Sequence, residues 1–407
     1  MKTKIIILTS ENFPYGSPGA NYLRNLSSGL QLNSNYLIEV WLQSGNSRPY
    51  AGFQNHMVNS INNVTYCFLG GYALRPKSNL GKFYNDLMGL FAPLVRIMKE
   101  RRSINTIIVY NSSAIRVIFS LLLCRLLNIH TIKIIPEWYE KSSILTSKLK
   151  YFKWWDFIFG MKVLNFHFDK LIVLSSYLKN FYISHGYPTK QLFILPNLVN
   201  LDEFFSIASA DRVVNERKER VVIGYSGTPV RKDGILDLLQ AFGLLVRNYR
   251  NVELLVIGDI SQTVTAIQYL KAKAEELCIP ESQIRFTGLV DFMEVPGLLN
   301  CCDILVLARP SGQFAEAGFP TKLGEYLACK KPVVVTKVGD IPKYFEDKVN
   351  AVLVDPDNSV SICKGINFLI ENPDIAKAIG LKGFDWVNLN LEYKIATIPV
   401  VAFIEIK

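Results

Sequence analysis

The chain has 407 residues, of which 49% are hydrophobic and 20% are charged. This length predicts two or three domains, and the composition, with no low-complexity tract, excludes a largely disordered protein. The net charge of +10 fits three kinds of partner: nucleic acid, an anionic membrane surface or a phosphorylated substrate. We expect no nucleic acid partner, because the sequence has neither a zinc-finger pattern nor an aromatic ribonucleoprotein motif.

The cysteines, membrane patterns and leader patterns indicate a compartment. The seven cysteines form no CxxC pair, which is typical of reduced thiols in a cytoplasmic protein, and the four histidines are scattered, so we expect no metal site. The apolar run 5–8 is too short for a signal peptide and predicts a strand. The apolar stretch 114–127 is broken by Arg116 and Arg125 and falls short of the ~20 residues that a spanning helix needs. We expect a cytoplasmic protein, soluble or peripheral on the cytoplasmic membrane face.

Continuous apolar strands alternate with amphipathic helices along the whole chain, which predicts an α/β protein with parallel, doubly wound sheets. Helices are predicted at 21–30, 83–101 and 235–248. We place domain boundaries by the polar stretch 202–219: an N-terminal domain 1–200, a C-terminal domain 201–383, and a helix 384–407 that packs back on the first domain. The strands are predicted near 4–10, 36–42, 64–68, 105–110, 131–135, 170–174 and 192–195, then near 221–225, 253–257, 284–287, 303–307, 332–336 and 351–354.

The segment 318–328 (GFPTKLGEYLA) is typical of a helix that begins at a phosphate site. Proline suits the first helical position, here Pro320, and the next three amides, those of Thr321, Lys322 and Leu323, would have no intrahelical partner. Such a helix end attracts phosphate, and the Lys322 side chain adds a full charge. Glu325 lies one turn deeper on the same face as Thr321, where a carboxylate could bind the hydroxyls of a ribose. The alternative is an ordinary capped helix with an exposed lysine and glutamate.

The loop 226–234 (SGTPVRKDG) directly follows the first predicted strand of the second domain. Gly227 would let the backbone approach a ligand, and Arg231 and Lys232 would place two cations beside a diphosphate. The alternative is a solvated basic loop. No GxGxxG follows any strand, which disfavours a nicotinamide cofactor.

Together these two segments resemble the large family four of retaining nucleotide-sugar glycosyltransferases, the glycosyl transferases group 1 of bacterial polysaccharide biosynthesis. The resemblance covers nearly the whole chain. It implies the GT-B fold, with two Rossmann-like parallel-sheet domains facing across a cleft. It also rests on the segments 14–19, 168–175, 195–200, 254–259, 286–288, 302–307 and 324–335.

The resemblance implies roles for the donor-side residues. Lys232 matches the lysine that neutralises the donor diphosphate, with Gly227, Thr228 and the amides of 321–323 beside it. Thr228 occupies the place of a family arginine, for which Arg231 is the proposed replacement. Glu325 matches the glutamate that binds the nucleotide ribose.

This chain departs from the family pattern at the residue that contacts the donor sugar. The family has a second glutamate eight positions before Glu325, where this chain has Ala317. Glu316, one residue away in a predicted loop, is the candidate to serve instead. On the acceptor side, Gly19 matches a family glycine, preceded here by Pro18.

Two further segments bear on the acceptor. The first, 135–140, follows a predicted strand and offers Glu137 or Glu140 to an acceptor, or else a Trp138 that packs in an interdomain core. The second, 148–163, combines Lys148, Lys150, Lys153 and Lys162 with aromatic residues. Basic and aromatic residues together suit a membrane interface. We favour a core helix instead, because the apolar residues fall on one helical stripe: Tyr151, Trp154, Trp155, Ile158 and Phe159.

The sequence and the resemblance together predict a metal-independent glycosyltransferase with no cofactor besides its nucleotide diphosphate-sugar donor. It would transfer a sugar, with retention, to a glycan or lipid-linked acceptor of a surface polysaccharide, with peripheral contact to an anionic inner membrane surface left open. Two alternatives stay open: a nucleotide-sugar epimerase of the same fold, and a noncatalytic partner subunit.

Overall fold

The computed structural model describes residues 3–50, 52–141, 151–205, 220–229, 231–258 and 265–406, with the backbone alone for Arg231, Thr265 and Ala266. Some positions singled out from the sequence lie outside the described residues. They are residues 206–219 of the predicted linker, Asp259 at the end of one motif, the side chain of Arg231, and Lys148 and Lys150 of the basic and aromatic segment.

The chain forms two compact units: Met1–Leu198 with Tyr393–Lys407 (unit 1), and Val199–Glu392 (unit 2). The change of unit after Leu198 lies beside the predicted boundary at 200. The segment predicted to begin at 384 is divided, because residues up to Glu392 group with unit 2 and the return to unit 1 begins at Tyr393.

Unit 1 is built on an eight-stranded sheet in the order β3-β4-β2-β1-β5-β6-β7-β8. The pairs are parallel except β3 with β4, which is antiparallel. The seven strands predicted for this half are present, and β3 is an edge strand that the sequence analysis did not predict. The bounds are β1 (Lys4–Thr9), β2 (Leu37–Leu42), β3 (Val58–Ile61), β4 (Val64–Phe68), β5 (Ile104–Tyr110), β6 (His130–Ile135), β7 (Lys170–Val173) and β8 (Leu192–Ile194).

Among the described residues, five helices connect the strands of unit 1, and one of them, α4, is more exposed than predicted. They are α1 (Pro18–Asn33), α2 (Asn79–Glu100), α3 (Ala114–Leu126), α4 (Tyr151–Lys162) and α5 (Ser176–Ser184). The stripe on α4 interpreted as core is wrong in part: Tyr151, Trp155 and Phe159 are exposed, Trp155 by 66%. Helical spacing identifies an apolar face, but it does not say what covers that face.

Unit 2 is built on a six-stranded, all-parallel sheet in the order β11-β10-β9-β12-β13-β14. The six strands predicted for this half are present. The strand order reverses between β9 and β12, and in such sheets ligands bind at the carboxyl ends of the strands at that point. The bounds are β9 (Val221–Ser226), β10 (Val252–Ile257), β11 (Ile284–Phe286), β12 (Ile304–Leu307), β13 (Val333–Thr336) and β14 (Val352–Val354).

The helices of unit 2 pack on this sheet around two buried apolar clusters. A 3₁₀ turn, Arg231–Asp233, precedes the second of them. The helices are α6 (Asp202–Phe205), α7 (Ile235–Leu245), α8 (Thr265–Glu276), α9 (Val295–Asn300), α10 (Gln313–Ala317), α11 (Thr321–Ala328), α12 (Ile341–Tyr344), α13 (Ser359–Glu371) and α14 (Pro373–Asn390).

The chain then re-enters unit 1 as two short helices, α15 (Tyr393–Ala396) and α16 (Ile398–Glu405). Both pack on α1, and Val400 and Ile404 join the core formed by α1 and the sheet. The two parallel sheets with flanking helices confirm the predicted α/β class. Across the described residues, no helix is both long enough and apolar enough to cross a membrane.

Candidate functional site

The candidate site lies in unit 2, where β9 and β12 end side by side. The loop after β9 leads through Gly227 and the 3₁₀ turn into α7, and the segment after β12 leads through α10 into α11. Both sequence segments that predicted a phosphate site therefore belong to the same edge of the same sheet.

Helix α11 begins one residue later than predicted. Pro320 is the N-cap, with extended backbone angles (φ −71°, ψ 122°), and Thr321 is the first helical residue. The Leu323 amide donates to the Pro320 carbonyl at 3.2 Å, so the expectation that this amide is free is wrong. The amides of Thr321 and Lys322 remain as the open end of the helix, because no carbonyl stands four residues before them inside the helix.

Lys322 joins the two predicted segments. Its Nζ lies 2.5 Å from Oδ2 of Asp233, and 5.3 Å from the ring centroid of Tyr225. Both members of the ion pair are largely buried: the Lys322 side chain is 18% exposed and the Asp233 side chain 12%. Burial lowers the pKa of Lys322, the nearby Arg309 guanidinium lowers it further, and the Asp233 carboxylate opposes both. Asp233 and the buried Arg309 were given no role in the sequence analysis.

Gly227 makes room for the Lys322 side chain. Its φ is +133°, a region that favours glycine, and a Cβ there would overlap the end of Lys322. Its amide donates to the carbonyl of Ile257 at 2.8 Å, which fixes the loop to β10. The group that lies close to Gly227 is therefore a lysine of the same unit, and the predicted approach of a ligand stays a prediction.

Tyr326 fastens α11 to the end of β9. Its buried hydroxyl accepts from the Ser226 amide at 2.7 Å and donates to the Ser226 carbonyl at 3.2 Å. A tyrosine inside an apolar helix is typical of a core, so the sequence analysis gave it no role. The signal that could have found it is its hydroxyl, which needs a partner when buried.

The remaining loop residues are more open. Lys232 and Thr228 are exposed, and the Thr228 carbonyl accepts from the Tyr225 hydroxyl at 3.0 Å. The backbone of Arg231 opens the 3₁₀ turn, and its side chain lies outside the described part of the chain. The predicted cation pair is thus described only at Lys232.

The two candidate glutamates differ in position. Glu325 is half-buried one turn inside α11, and its charge acts to raise the pKa of Lys322. Glu316 is exposed and lies on α10 rather than in the predicted loop, and it accepts from the Gly339 amide at 3.2 Å. Ala317 is fully buried, so this position belongs to the core of unit 2.

Unit 1 has a related loop at the carboxyl end of β1. Gly19 is the second residue of α1, and a Cβ there would lie 2.7 Å from Oε2 of Glu11. The Glu11 carboxylate accepts from the Ser17 hydroxyl at 2.7 Å and from the Asn111 amide group at 2.5 Å. The sequence analysis missed Glu11, which looks like one polar residue among several after β1.

The segment after β6 is partly buried. Trp138 packs within unit 1, with its ring centroid 4.9 Å from that of Phe181 and 6.1 Å from that of Phe157. Burial raises the pKa of Tyr139, and the neighbouring Glu137 adds to that rise. Within the described ranges, no group of three or more His, Cys, Asp or Glu side chains is placed to hold a metal ion.

Comparisons with known proteins agree with this description. Residues 206–386 match the family model described as glycosyl transferases group 1. An uncharacterized glycosyltransferase of Methanocaldococcus jannaschii is 20% identical over 226 residues, which are 56% of this chain and 55% of that protein. The lipopolysaccharide 1,2-N-acetylglucosaminetransferase of Salmonella typhimurium is 27% identical over 244 residues, 54% of this chain and 59% of that protein. The matches thus span little more than half of these relatives.

A solved structure extends the fold to the whole chain. HepE of Anabaena, in complex with UDP, superposes with a TM-score of 0.70 at 15% identity and covers 98% of both chains. This likeness confirms the GT-B fold that the sequence resemblance implied. The family match lies within Val199–Glu392, so it is unit 2 that is similar to the glycosyl transferases group 1 family.

Proposed function

We propose that this protein is a glycosyltransferase that moves a sugar from a nucleotide diphosphate donor to a glycan or lipid-linked acceptor of a surface polysaccharide. The observation that carries the proposal is the meeting of Lys322 with the loop after β9, beside the open amides of α11. A buried cation and a free helix end at the switch point of a parallel sheet are suited to a diphosphate. The seven free cysteines suit a reducing cytoplasm, where we place the reaction.

The chemistry follows from the leaving group. When the bond between the sugar's anomeric carbon and the phosphate oxygen breaks, negative charge grows on the departing diphosphate. The amides of Thr321 and Lys322 and the ammonium groups of Lys322 and Lys232 would stabilise that charge. One preorganised donor of this kind contributes about 10²–10³ in rate. These cations would do the work that Mg²⁺ does elsewhere, so we propose a metal-independent reaction.

Asp233 sets the position of the buried lysine. Its carboxylate holds the Lys322 ammonium at 2.5 Å inside the loop, so the cation is ordered before a ligand arrives. A diphosphate beside this pair would share the lysine with Asp233. An exposed lysine such as Lys232 would have to be ordered on binding, which costs conformational entropy.

The ribose and sugar ends are assigned to the two glutamates. Glu325 lies one turn inside α11, where its carboxylate would accept hydrogen bonds from the ribose hydroxyls. Glu316 would contact the sugar, since Ala317 is buried. We propose that the transfer retains the anomeric configuration, because the acceptor hydroxyl would be delivered on the leaving-group face. The departing phosphate would take the proton of that hydroxyl. Gly19 and Glu11 of unit 1 are assigned to the acceptor.

The test is sugar transfer by the purified chain with a panel of nucleotide sugars. UDP-sugars come first, since HepE was solved with UDP. With the correct donor, we expect Lys232→Ala to lower kcat by about a hundredfold and Glu325→Gln to raise the donor KM by about tenfold. Matched controls are Lys271→Ala and Glu275→Gln, both exposed on α8.

Three outcomes would overturn parts of the proposal. Full turnover by Lys232→Ala and Glu325→Gln would refute the site assignment. An epimerised donor formed without acceptor would identify an epimerase. Calorimetry that shows no heat with any nucleoside diphosphate would identify a noncatalytic subunit.

A further inference from the structure

Three neighbouring helices of unit 1 form one layer. Helix α2 connects β4 to β5, α3 connects β5 to β6, and α4 connects β6 to β7. All three connections run in the same direction across the sheet, away from β3. Right-handed crossovers therefore place all three on the same face of the sheet. Helix α3 contacts both α2 and α4, and the Asp156 carboxylate of α4 accepts from the amides of Ala114 and Ile115 at the start of α3.

The outer side of this layer is apolar and exposed. Along α2, large exposed side chains recur at helical spacing, at Leu80, Phe83, Leu87, Phe91 and Val95. Leu80 is 82% exposed and Phe83 is 65% exposed. A contiguous apolar surface of this kind is rare on a monomeric soluble protein and marks an interaction site.

The other two helices continue the same surface. On α3 the exposed residues Ile115, Phe119, Leu122 and Leu126 recur at the same spacing. On α4 the exposed residues are aromatic: Tyr151, Phe152, Trp155 and Phe159. We call the exposed outer side of α2, α3 and α4 the three-helix face.

The exposed charges of these three helices are mostly basic. Among the described residues of these helices, five basic residues are exposed: Lys82, Lys99, Arg125, Lys153 and Lys162. The carboxylates on the same helices have other partners. Asp86 pairs with Arg75 and Arg116, Glu100 pairs with Lys4 and Arg96, and Asp156 caps α3.

We propose that the three-helix face docks on an anionic lipid bilayer. Exposed aromatic and aliphatic side chains suit the headgroup region, and the surrounding lysines suit anionic lipids. A second copy of this chain is a poorer occupant, because a two-fold contact would bring basic residues against basic residues. The inference does not depend on the proposed function, since it rests on residues of unit 1 outside the donor site.

The test is flotation of the full chain with vesicles of phosphatidylcholine alone and with vesicles of equal parts phosphatidylcholine and phosphatidylglycerol. We expect binding to the anionic vesicles that weakens as salt is raised, because the attraction between exposed charges is screened. A triple variant with one change on each helix, Phe83→Ser, Phe119→Ser and Trp155→Ser, is expected to bind at least about tenfold more weakly. Its control changes three exposed apolar residues of unit 2: Tyr269→Ser, Leu289→Ser and Leu381→Ser.

A second variant keeps the test valid if the first one unfolds. Lys82→Gln, Lys153→Gln and Lys162→Gln change only exposed lysines, and together they are expected to lower the affinity for anionic vesicles more than about tenfold. The control changes the exposed lysines Lys271, Lys377 and Lys382 of unit 2 to Gln. Quenching of tryptophan fluorescence by brominated lipids should also decrease in Trp155→Phe.

Three results would overturn the proposal. One is the absence of flotation with anionic vesicles at low salt. Another is equal loss of binding in the three-helix variants and their unit 2 controls. The third is self-association of the chain that the phenylalanine and tryptophan changes abolish while vesicle binding is unaffected, which would make the face a protein interface.

Discussion

In both units a glycine lies against a charged side chain just after the first strand, but the charge is negative in unit 1 and positive in unit 2. In each unit the first strand ends in a loop that leads to a helix. In unit 1 the missing Cβ of Gly19 leaves room for the Glu11 carboxylate, and in unit 2 the missing Cβ of Gly227 leaves room for the Lys322 ammonium. We propose that the shared topology sets where a ligand binds in each unit and that the charge at that place sets which ligand it suits.

The two charges are also held in different ways. Glu11 belongs to its own loop and accepts from the Ser17 hydroxyl and the Asn111 amide group. Lys322 comes from the helix after another strand and is paired with Asp233. A carboxylate that accepts hydrogen bonds suits sugar hydroxyls, whereas an ammonium at a helix end suits phosphate.

The largest effect is expected at Gly227, because its φ of +133° strains any side chain and a Cβ would displace the end of Lys322. Gly227→Ala should lower the free energy of unfolding by about 2–4 kcal/mol and abolish measurable transfer, since Lys322 must move. Urea unfolding and the transfer assay measure the two effects. Gly186→Ala is the control, because Gly186 has φ +89° with open space around it, and it should lose only about 1 kcal/mol. Equal losses in both variants would mean that the lysine plays no part.

The second test removes the ion pair of unit 2. Lys322→Met should reduce transfer by about 10²–10³. In a double-mutant cycle with Asp233→Asn, we expect a coupling of about 1–3 kcal/mol in unfolding free energy, since both partners are largely buried. The control is the exposed pair of Lys273 and Glu276, at 2.6 Å, for which a much smaller coupling is expected because solvent screens it. A coupling no larger than that of the control would show that the pair does not order the loop.

The corresponding change in unit 1 should be smaller and should affect a different substrate. Gly19→Ala displaces the end of a flexible glutamate at a position without the positive φ of Gly227, so we expect a loss of about 1 kcal/mol in unfolding free energy. Steady-state kinetics should show a raised KM for the acceptor with an unchanged donor KM, and Glu11→Gln should show the same pattern. A raised donor KM instead would contradict the division of roles between the two loops.

The smallest effect concerns Lys133, a lysine of unit 1 whose pKa is lowered by burial. Burial lowers the pKa of Lys133 on β6 from 10.5 to about 8, with Asp156 opposing the shift. Below about pH 8 the native state must hold this lysine charged. Between about pH 8 and 10.5 the native state loses the proton while the unfolded state keeps it, so the free energy of unfolding increases as the pH rises.

Lys133→Met should therefore raise the free energy of unfolding at pH 7 by roughly 1 kcal/mol, and the Tm with it. This gain should shrink toward pH 10. Thermal melts across this pH range measure the trend. The exposed Lys271→Met is the control and should show a flat difference. A gain that does not change with pH would indicate better packing rather than relief of a buried charge.

The strands could be predicted because each is a continuous apolar run bounded by polar turns, as at β9 and β13. Strand β3 could not, since Val58–Ile61 alternates exposed and half-buried residues at a sheet edge. The start of α11 was misplaced by one residue, because proline suits both the N-cap with extended ψ and the first helical turn.

The position of the two candidate segments at one edge of the sheet was predictable, whereas the contacts between them were predictable only in part. The basic loop and the helix start could be recognised, because their residue types and order are local. The pairing of Lys322 with Asp233 could not, since it depends on which strands become neighbours. Similarly, the aromatic residues of α4 showed an apolar face, but only the packed structure shows that Trp155 is uncovered.

The interruption of unit 1 by unit 2 has a consequence for biosynthesis. The amide of Val199 donates to the Leu391 carbonyl at 2.8 Å, so the two ends of unit 2 meet and this unit can complete its core as soon as it has been synthesised. The core of unit 1, in contrast, includes Val400 and Ile404, which the ribosome adds only after unit 2. Unit 1 therefore begins to emerge first and finishes folding last.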